Sequence, residues 1–237
     1  MCAARFQRYV LRTTDVDAAT RFYMRVLGHT GDGIETLPPR AAALGAPPHW
    51  MGFIGVREDD VTTSSSDARR EAAERVAQAW LARGATRLGP AGVDGVTLLR
   101  DINGAVQAVA PATKAPSAAG VRWHQLITPD MPATCLRYTD LFGWTFLHAS
   151  ADADQTHRPF ATDANGPAIG WCSDMHALPG AHPHWLFYFG VTDIDASVAT
   201  VRALGGVVVD VVTRADGWRI APCEDQQGAA FGLIQPG

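Results

Sequence analysis

No run of about 18 apolar residues occurs in this chain, so nothing in it reads as a membrane-spanning helix. The first residues, MCAARFQRYV, lack the apolar core of a secretory leader. Cysteine is scarce. Cys2, Cys135, Cys172 and Cys223 lie far apart and form no C-x-x-C pair. That pattern excludes a zinc ribbon or a disulfide scaffold and fits a reducing, cytoplasmic setting. An excess of basic residues is missing too. Twenty Lys and Arg face 24 Asp and Glu, for a net charge of -4. The chain therefore carries no electrostatic footprint for nucleic acid. With nucleic acid and membrane set aside, the expected partner is a small-molecule ligand. The 237 residues, 47% hydrophobic and 19% charged, suffice for one large or two modest domains with a sizeable core.

What the chain does have is a repeat. Asp15 to Gly28 reads DVDAATRFYMRVLG, and Asp130 to Gly143 reads DMPATCLRYTDLFG. The offset is 115 residues (130 minus 15), about half the chain. Each copy follows a short apolar strand, opens on Asp at a helix N-cap position, and stops at Gly. Two further pairs recur in the same order. Pro48-His49-Trp50 with WMGFIGV matches Pro183-His184-Trp185 with WLFYFGV. Asp101–Val109 (DINGAVQAV) matches Asp225–Leu233 (DQQGAAFGL).

Periodicity fills in the rest. Residues 5–14 form a strand, with Tyr9, Leu11 and Thr13 on one face and Arg8, Val10 and Arg12 on the other. Helices are expected from Asp15 or Asp17 to Leu27, over Asp67–Arg83, Asp130–Phe142 and Asp195–Leu204. Short strands are expected at Gly33–Leu37 and Arg40–Leu44, and single strands at Trp144–Ser150 and Val207–Val212. Asn103-Gly104 supplies a hairpin turn. The segment PATKAPSAAG, Pro111 to Gly120, reads as a linker. It divides the chain into domains 1–112 (modules 1–56 and 49–112) and 120–237 (modules 120–182 and 183–237). Ser64-Ser65-Ser66 reads as a connection and helix cap.

Four βαβββ modules with these signatures resemble the vicinal oxygen chelate superfamily of glyoxalase I, bleomycin-resistance proteins and extradiol dioxygenases. Trp123-His-Gln-Leu126, Thr128, Asp130, Tyr138 and Leu141-Phe-Gly-Trp144 resemble in particular the fused two-domain proteins labelled glyoxalase-like or hydroxylase. The resemblance covers nearly the whole chain. It implies an α+β fold of two glyoxalase-like domains, each curling a mixed sheet around a cavity. It also implies where a metal would be held: seven residues before the Asp of each first strand, and seven after the Asp of D-x-x-G. Those positions are Arg8, Gly52 (counted from Asp59), Trp123, Leu186 (counted from Asp193), Ala108 and Gly232. None is a usual ligand for Mg²⁺, Zn²⁺ or Fe²⁺. Trp would fill such a site and Arg would repel a cation, so no family metal centre and no cofactor are expected. His124, His184 and Glu224 or Cys223 make an alternative metal set, and His182 with His184 another. Alternation turns His124 away from Trp123, and a hydrogen-bonded structural histidine is the simpler reading.

Cavity-facing candidates are Trp123, Gln125 and Ile127 on one strand and His184, Leu186 and Tyr188 on another, with Trp171 and Trp218 at the rim. They describe an aromatic pocket for a small apolar molecule. In the first half, Arg8 and Arg12 give a cationic floor suited to carboxylate or phosphate. Against this stands packing: Trp123 and Tyr188 as core filling, the arginines facing solvent. The leading expectation is a metal-independent small-molecule-binding protein, monomer or homodimer. The alternative is a lyase, isomerase or hydroxylase-like enzyme using His184, Tyr188 and Glu224, with Cys223 beside it, or a non-standard metal set.

Overall fold

The computed structural model describes residues 3–57, 65–90, 92, 94–113, 120–147, 156–178 and 180–237. Cys2, Asp59, Ser64, most of the Pro111–Gly120 linker and the end of the strand expected over Trp144–Ser150 lie outside the described residues. The first half runs β1 (Ala3–Thr13), α1 (Val16–Val26), β2 (Ile34–Thr36), α2 (Pro39–Ala43), β3 (His49–Arg57), α3 (Ser66–Leu81), β4 (Thr86–Arg87), β5 (Thr97–Arg100) and β6 (Val106–Pro111). The second runs β7 (Val121–Thr128), α4 (Met131–Phe142), β8 (Thr145–Phe146), β9 (His157–Ala161), β10 (Gly170–Asp174), β11 (His184–Gly190), α5 (Ile194–Ala203), β12 (Val207–Val208), β13 (Val212–Thr213), β14 (Arg219–Glu224) and β15 (Ala230–Gln235). No helix among the described residues is long and apolar enough to cross a membrane.

The repeated Asp residues act as caps. Asp15, Asp130 and Asp193 each accept from the backbone N–H three residues on, at Ala18, Ala133 and Ala196. Ser65 does the same for α3, accepting from Ala68. Gly143 closes α4 in the left-handed conformation, φ 72°, which glycine adopts without steric cost.

Two expectations change. Arg40–Leu44 is the short helix α2 and not a strand. Pro39 sits at its first position, where the missing N–H costs nothing, and three alanines follow. The strand expected over Val207–Val212 is two short pieces, β12 and β13, each pairing antiparallel with β14.

Strands from residues 3–111 form a six-stranded sheet in the order β2-β1-β3-β6-β5-β4. Strands from 121–235 form a nine-stranded sheet in the order β12-β14-β15-β11-β7-β10-β9-β8, with β13 also on β14. The sheets are mixed α+β layers, not closed barrels. Parallel pairs sit near each centre: β3 with β6, β7 with β10, and β11 with β15.

By compactness the chain groups differently. One unit comprises Met1–Arg8, Gly52–Pro116 and His124–Trp185, which are essentially the second and third modules. The other comprises Tyr9–Met51, Ser117–Trp123 and Leu186–Gly237, the first and fourth. In the inner-module unit, Trp80 of α3 meets Tyr138 and Phe142 of α4 edge-on at 5.4 and 5.1 Å. Trp144 stacks on Phe160 at 4.9 Å. In the outer-module unit, Phe22 and Tyr23 of α1 pack on Phe231 of β15. Burying each such ring stabilises the fold by about 1.5–3 kcal/mol.

Candidate ligand sites

The repeated motifs converge first on buried hydrogen bonds. In the outer-module unit, Tyr23 donates its hydroxyl proton to Asp225 Oδ2 at 3.2 Å. Trp50 Nε1 donates to the Tyr23 oxygen at 3.0 Å. The other Asp225 oxygen accepts from the backbone of Gln227 and Ala229, holding the D-x-x-G turn. In the inner-module unit, Tyr138 offers its hydroxyl to Asp101 Oδ2 at 3.2 Å and Gln107 Oε1 at 3.4 Å. Trp185 Nε1 donates to Gln107 Oε1 at 3.1 Å. Asn103, read from sequence as a hairpin residue, also donates to Thr128 and Thr134 hydroxyls. Burial raises the pKa of Asp101 and Asp225 and of both tyrosines. These groups tie helix, hairpin and strand together. His49 and His184 are equally structural. Each Nδ1 donates to the carbonyl two residues back, of Pro47 and His182.

The positions counted as metal ligands do not fit a metal. Register sets Tyr188 opposite Gly232 and Phe53 opposite Ala108, so each aromatic shares a face with the residue seven past the D-x-x-G Asp. A Cβ at position 232 would lie 2.2 Å from Cδ1 of Tyr188. A glutamate there would have to displace the ring. The count to Gly52 needs correction: with Phe53 beside Ala108, strand alternation turns Gly52 to the opposite face. Its marker, Asp59, lies outside the described residues. Among the described residues no three His, Cys, Asp or Glu side chains come together as a metal would need. His124, proposed as an alternative ligand, is buried and stacked on Phe6 at 4.5 Å, its Nδ1 donating to Ile169 O. Burial depresses its pKa to about 4.

The remaining candidates fall in three places. In the outer-module unit, Trp123 and Trp218, both half-buried, stand 6.2 Å apart between ring centroids, with the Arg214 guanidinium 5.7 Å over Trp123. Leu186 and Tyr188 are buried there, and burial raises the Tyr188 pKa, which disfavours it as a base. Arg12 pairs with Glu35 at 3.7 Å. Cys223 donates to Ala221 O and burial pushes its thiol up to about 12, so it is inert. Glu224 is exposed on β14. In the inner-module unit, Gln125 is buried and donates to Ser173 Oγ, and Trp171 is buried beside His157. That unit also holds a groove of about 490 Å³ lined by Gln7, Arg8, Phe53, Ser66, Arg69, Arg70, Asp94, Val96 and residues 110–113. Arg8 sits 5.0 Å over the Phe53 ring. Sequence periodicity places Arg69 and Arg70 only within the helix expected over Asp67–Arg83. Nothing in that pattern marks a groove.

Four modules in two mixed sheets define a glyoxalase-like α+β fold. The 2,3-dioxygenase LapB of Pseudomonas sp. KL28 shares it, with TM-score 0.61 at 12% identity over 98% of this chain and 92% of that one. Residues 120–233, in the second half of the chain, match the Glyoxalase/Bleomycin resistance protein/Dioxygenase superfamily. "Putative glyoxylase CFP32" of Mycobacterium tuberculosis is 27% identical over 95% of this chain and 92% of its own length. "Anthracycline biosynthesis protein DauV" of Streptomyces sp. is 30% identical over 48% of this chain and 46% of its own length.

Proposed function

We propose that this protein, as a member of that superfamily, binds a small aromatic or apolar molecule and works without the family metal centre. The observation that carries the reading is the Tyr188 ring lying where a side chain at position 232 would project. A second aromatic, Phe53, holds the equivalent place beside Ala108. The paired indoles of Trp123 and Trp218, with Arg214, itself paired to Asp216 at 3.0 Å, over one of them, supply flat apolar surface for a planar ligand. The name of the Streptomyces relative directs the ligand search toward fused aromatic rings. His184 Nδ1 donates to the His182 carbonyl, and burial raises the Tyr188 pKa, neither of which favours the enzymatic alternative.

The test is isothermal titration of the full chain with a panel of planar aromatic compounds, alongside metal analysis of protein purified without chelator. Binding that falls roughly tenfold in Trp123→Ala or Trp218→Ala supports the reading, since one ring–ring contact is worth about 1 kcal/mol beyond its burial. Stoichiometric iron, manganese or zinc, or no binding across the panel, overturns it.

A further inference from the structure

The sequence sets Cys135 and Cys172 37 residues apart (172 minus 135), and the fold closes that gap. We propose that Cys135, Cys172 and Arg158 form an oxidation site, at which a small hydroperoxide converts the two thiols to a reversible disulfide between α4 and β10. The placement follows from register. Thr134 of α4 shares a hydrogen bond of 2.9 Å with Thr128 of β7, so the helix lies over the face of β7 that carries Leu126 and Thr128. Parallel pairing sets Cys172 of β10 beside Leu126, and antiparallel pairing sets Arg158 of β9 beside Cys172. Residues paired in this way share a face, so Cys172 and Arg158 both point toward α4. Cys135 follows Thr134 on that helix and is buried. Its sulfur accepts a hydrogen bond from the Cys172 thiol and another from the Arg158 guanidinium.

Cys223 shows what this arrangement adds. It is a single buried thiol that donates to the Ala221 carbonyl of its own strand. In the pair, the hydrogen bond from Cys172, aided by the Arg158 cation, holds the Cys135 thiol below its ordinary range. The same bond, together with burial, pushes the Cys172 thiol up. One sulfur is poised as thiolate and the other keeps its proton, the roles of an attacking and a resolving thiol. Both are free thiols and both are buried, so only a small oxidant reaches them. The Cys135 thiolate attacks one peroxide oxygen and the O–O bond breaks, giving a sulfenic acid and a leaving oxygen that takes up a proton. The Cys172 sulfur then attacks the sulfenyl sulfur. The S–S bond forms, the S–O bond breaks, and hydroxide departs as water with the Cys172 proton. The sulfurs lose two electrons, the peroxide gains them, and a thiol reductant reverses the oxidation.

The test treats the reduced full chain with hydrogen peroxide, alkylates the remaining thiols and maps peptides by mass spectrometry. The expected product is a Cys135–Cys172 disulfide that dithiothreitol removes, with Cys223 still a thiol. In Cys172→Ser, dimedone captures a sulfenic acid at Cys135. In Cys135→Ser, Cys172 stays unmodified under the same treatment. Arg158→Gln slows the cross-link about tenfold and moves its rate–pH profile upward, because the thiolate loses its cation. Mapping of the wild type needs no variant to fold, so a destabilised serine variant does not hide the answer. Both thiols left free after peroxide, a disulfide joining either of them to Cys2 or Cys223, or an unchanged pH profile in Arg158→Gln overturns the proposal.

Discussion

The two compact units solve one problem with different parts. Each buries a helix tyrosine, a hairpin aspartate and a strand tryptophan. In the outer-module unit the Trp50 indole N–H reaches the Tyr23 oxygen directly. In the inner-module unit the Trp185 N–H goes to Gln107. The cause is a single position. Six residues past the hairpin aspartate stands Gln107 in one unit and Phe231 in the other, both wholly buried. Where glutamine supplies an acceptor, the tyrosine hydroxyl is shared between Asp101 and Gln107. Where phenylalanine supplies none, the tyrosine oxygen serves as both donor and acceptor. Between the two units, the set of buried donors and acceptors is therefore matched more closely than the identity of any one residue.

The largest expected difference between the units is in acid. His124 of the inner-module unit corresponds to Tyr9 of the outer one, each six residues before its capping aspartate. The folded pKa of His124 is depressed from 6.5 to about 4. Its contribution to stability is therefore present above pH 6.5 and is lost as pH falls towards 4, on the order of 3 kcal/mol in all. Asp101 and Asp225 act with the opposite sign. Their pKa values are raised from 3.8, so their contribution is present below that pH and lost as pH rises. Because each unit holds one such aspartate, they do not distinguish the units. Hydrogen exchange between pH 7 and pH 4.5 should show amides of the inner-module unit losing protection first. His124→Phe should abolish the asymmetry. Simultaneous loss of protection in both units of the wild type would remove His124 from the account.

Next is Gly232→Ala, expected to cost about 3 kcal/mol by overpacking against the Tyr188 ring. Combined with Tyr188→Ala, the added cost should largely vanish in a double-mutant cycle read by urea melts. Additive losses would show that the ring and the glycine are independent. Ala108 tolerates its methyl beside Phe53, so the two units differ here as well.

Tyr23→Phe should destabilise more than Tyr138→Phe, by about 2 against about 1 kcal/mol. The first removes the partner of both Asp225 and Trp50, whereas the second leaves Trp185 bonded to Gln107. Equal losses in thermal melts would contradict the rerouted network. The smallest effect belongs to Gln107→Leu, within about 1 kcal/mol. It removes an acceptor but also a buried Nε2 that has no hydrogen-bond partner among the described residues, and the indole can turn to the Tyr138 oxygen.

The sequence shows the modules because caps, hairpin aspartates and aromatic positions are local signals with fixed spacing. Asp15 and Asp130 cap as read, Asp193 caps a helix expected to begin at Asp195, and the strands WMGFIGV and WLFYFGV stand where their apolar runs place them. Arg40–Leu44 misled because Pro38-Pro39 before it suggest a break between two strands, although Pro39 begins a helix turn. The indole pair Trp123 and Trp218 was legible as two aromatics of one half, but not the cation over them. The groove was legible only in Arg8. Arg69 and Arg70 are set by how α3 lies on its sheet, and no periodicity encodes that. Gln107 was visible all along as a polar residue at an apolar position of the D-x-x-G repeat, with Phe231 in the matching place.

The ring of Tyr188 over Gly232 also sets the order in which the two positions can change. A longer side chain cannot enter position 232 while the tyrosine stands, and shrinking the tyrosine first opens a void. Placing a glutamate there by single steps therefore passes through a disfavoured intermediate in either order. The contact acts as an interlock: neither partner changes size alone without cost.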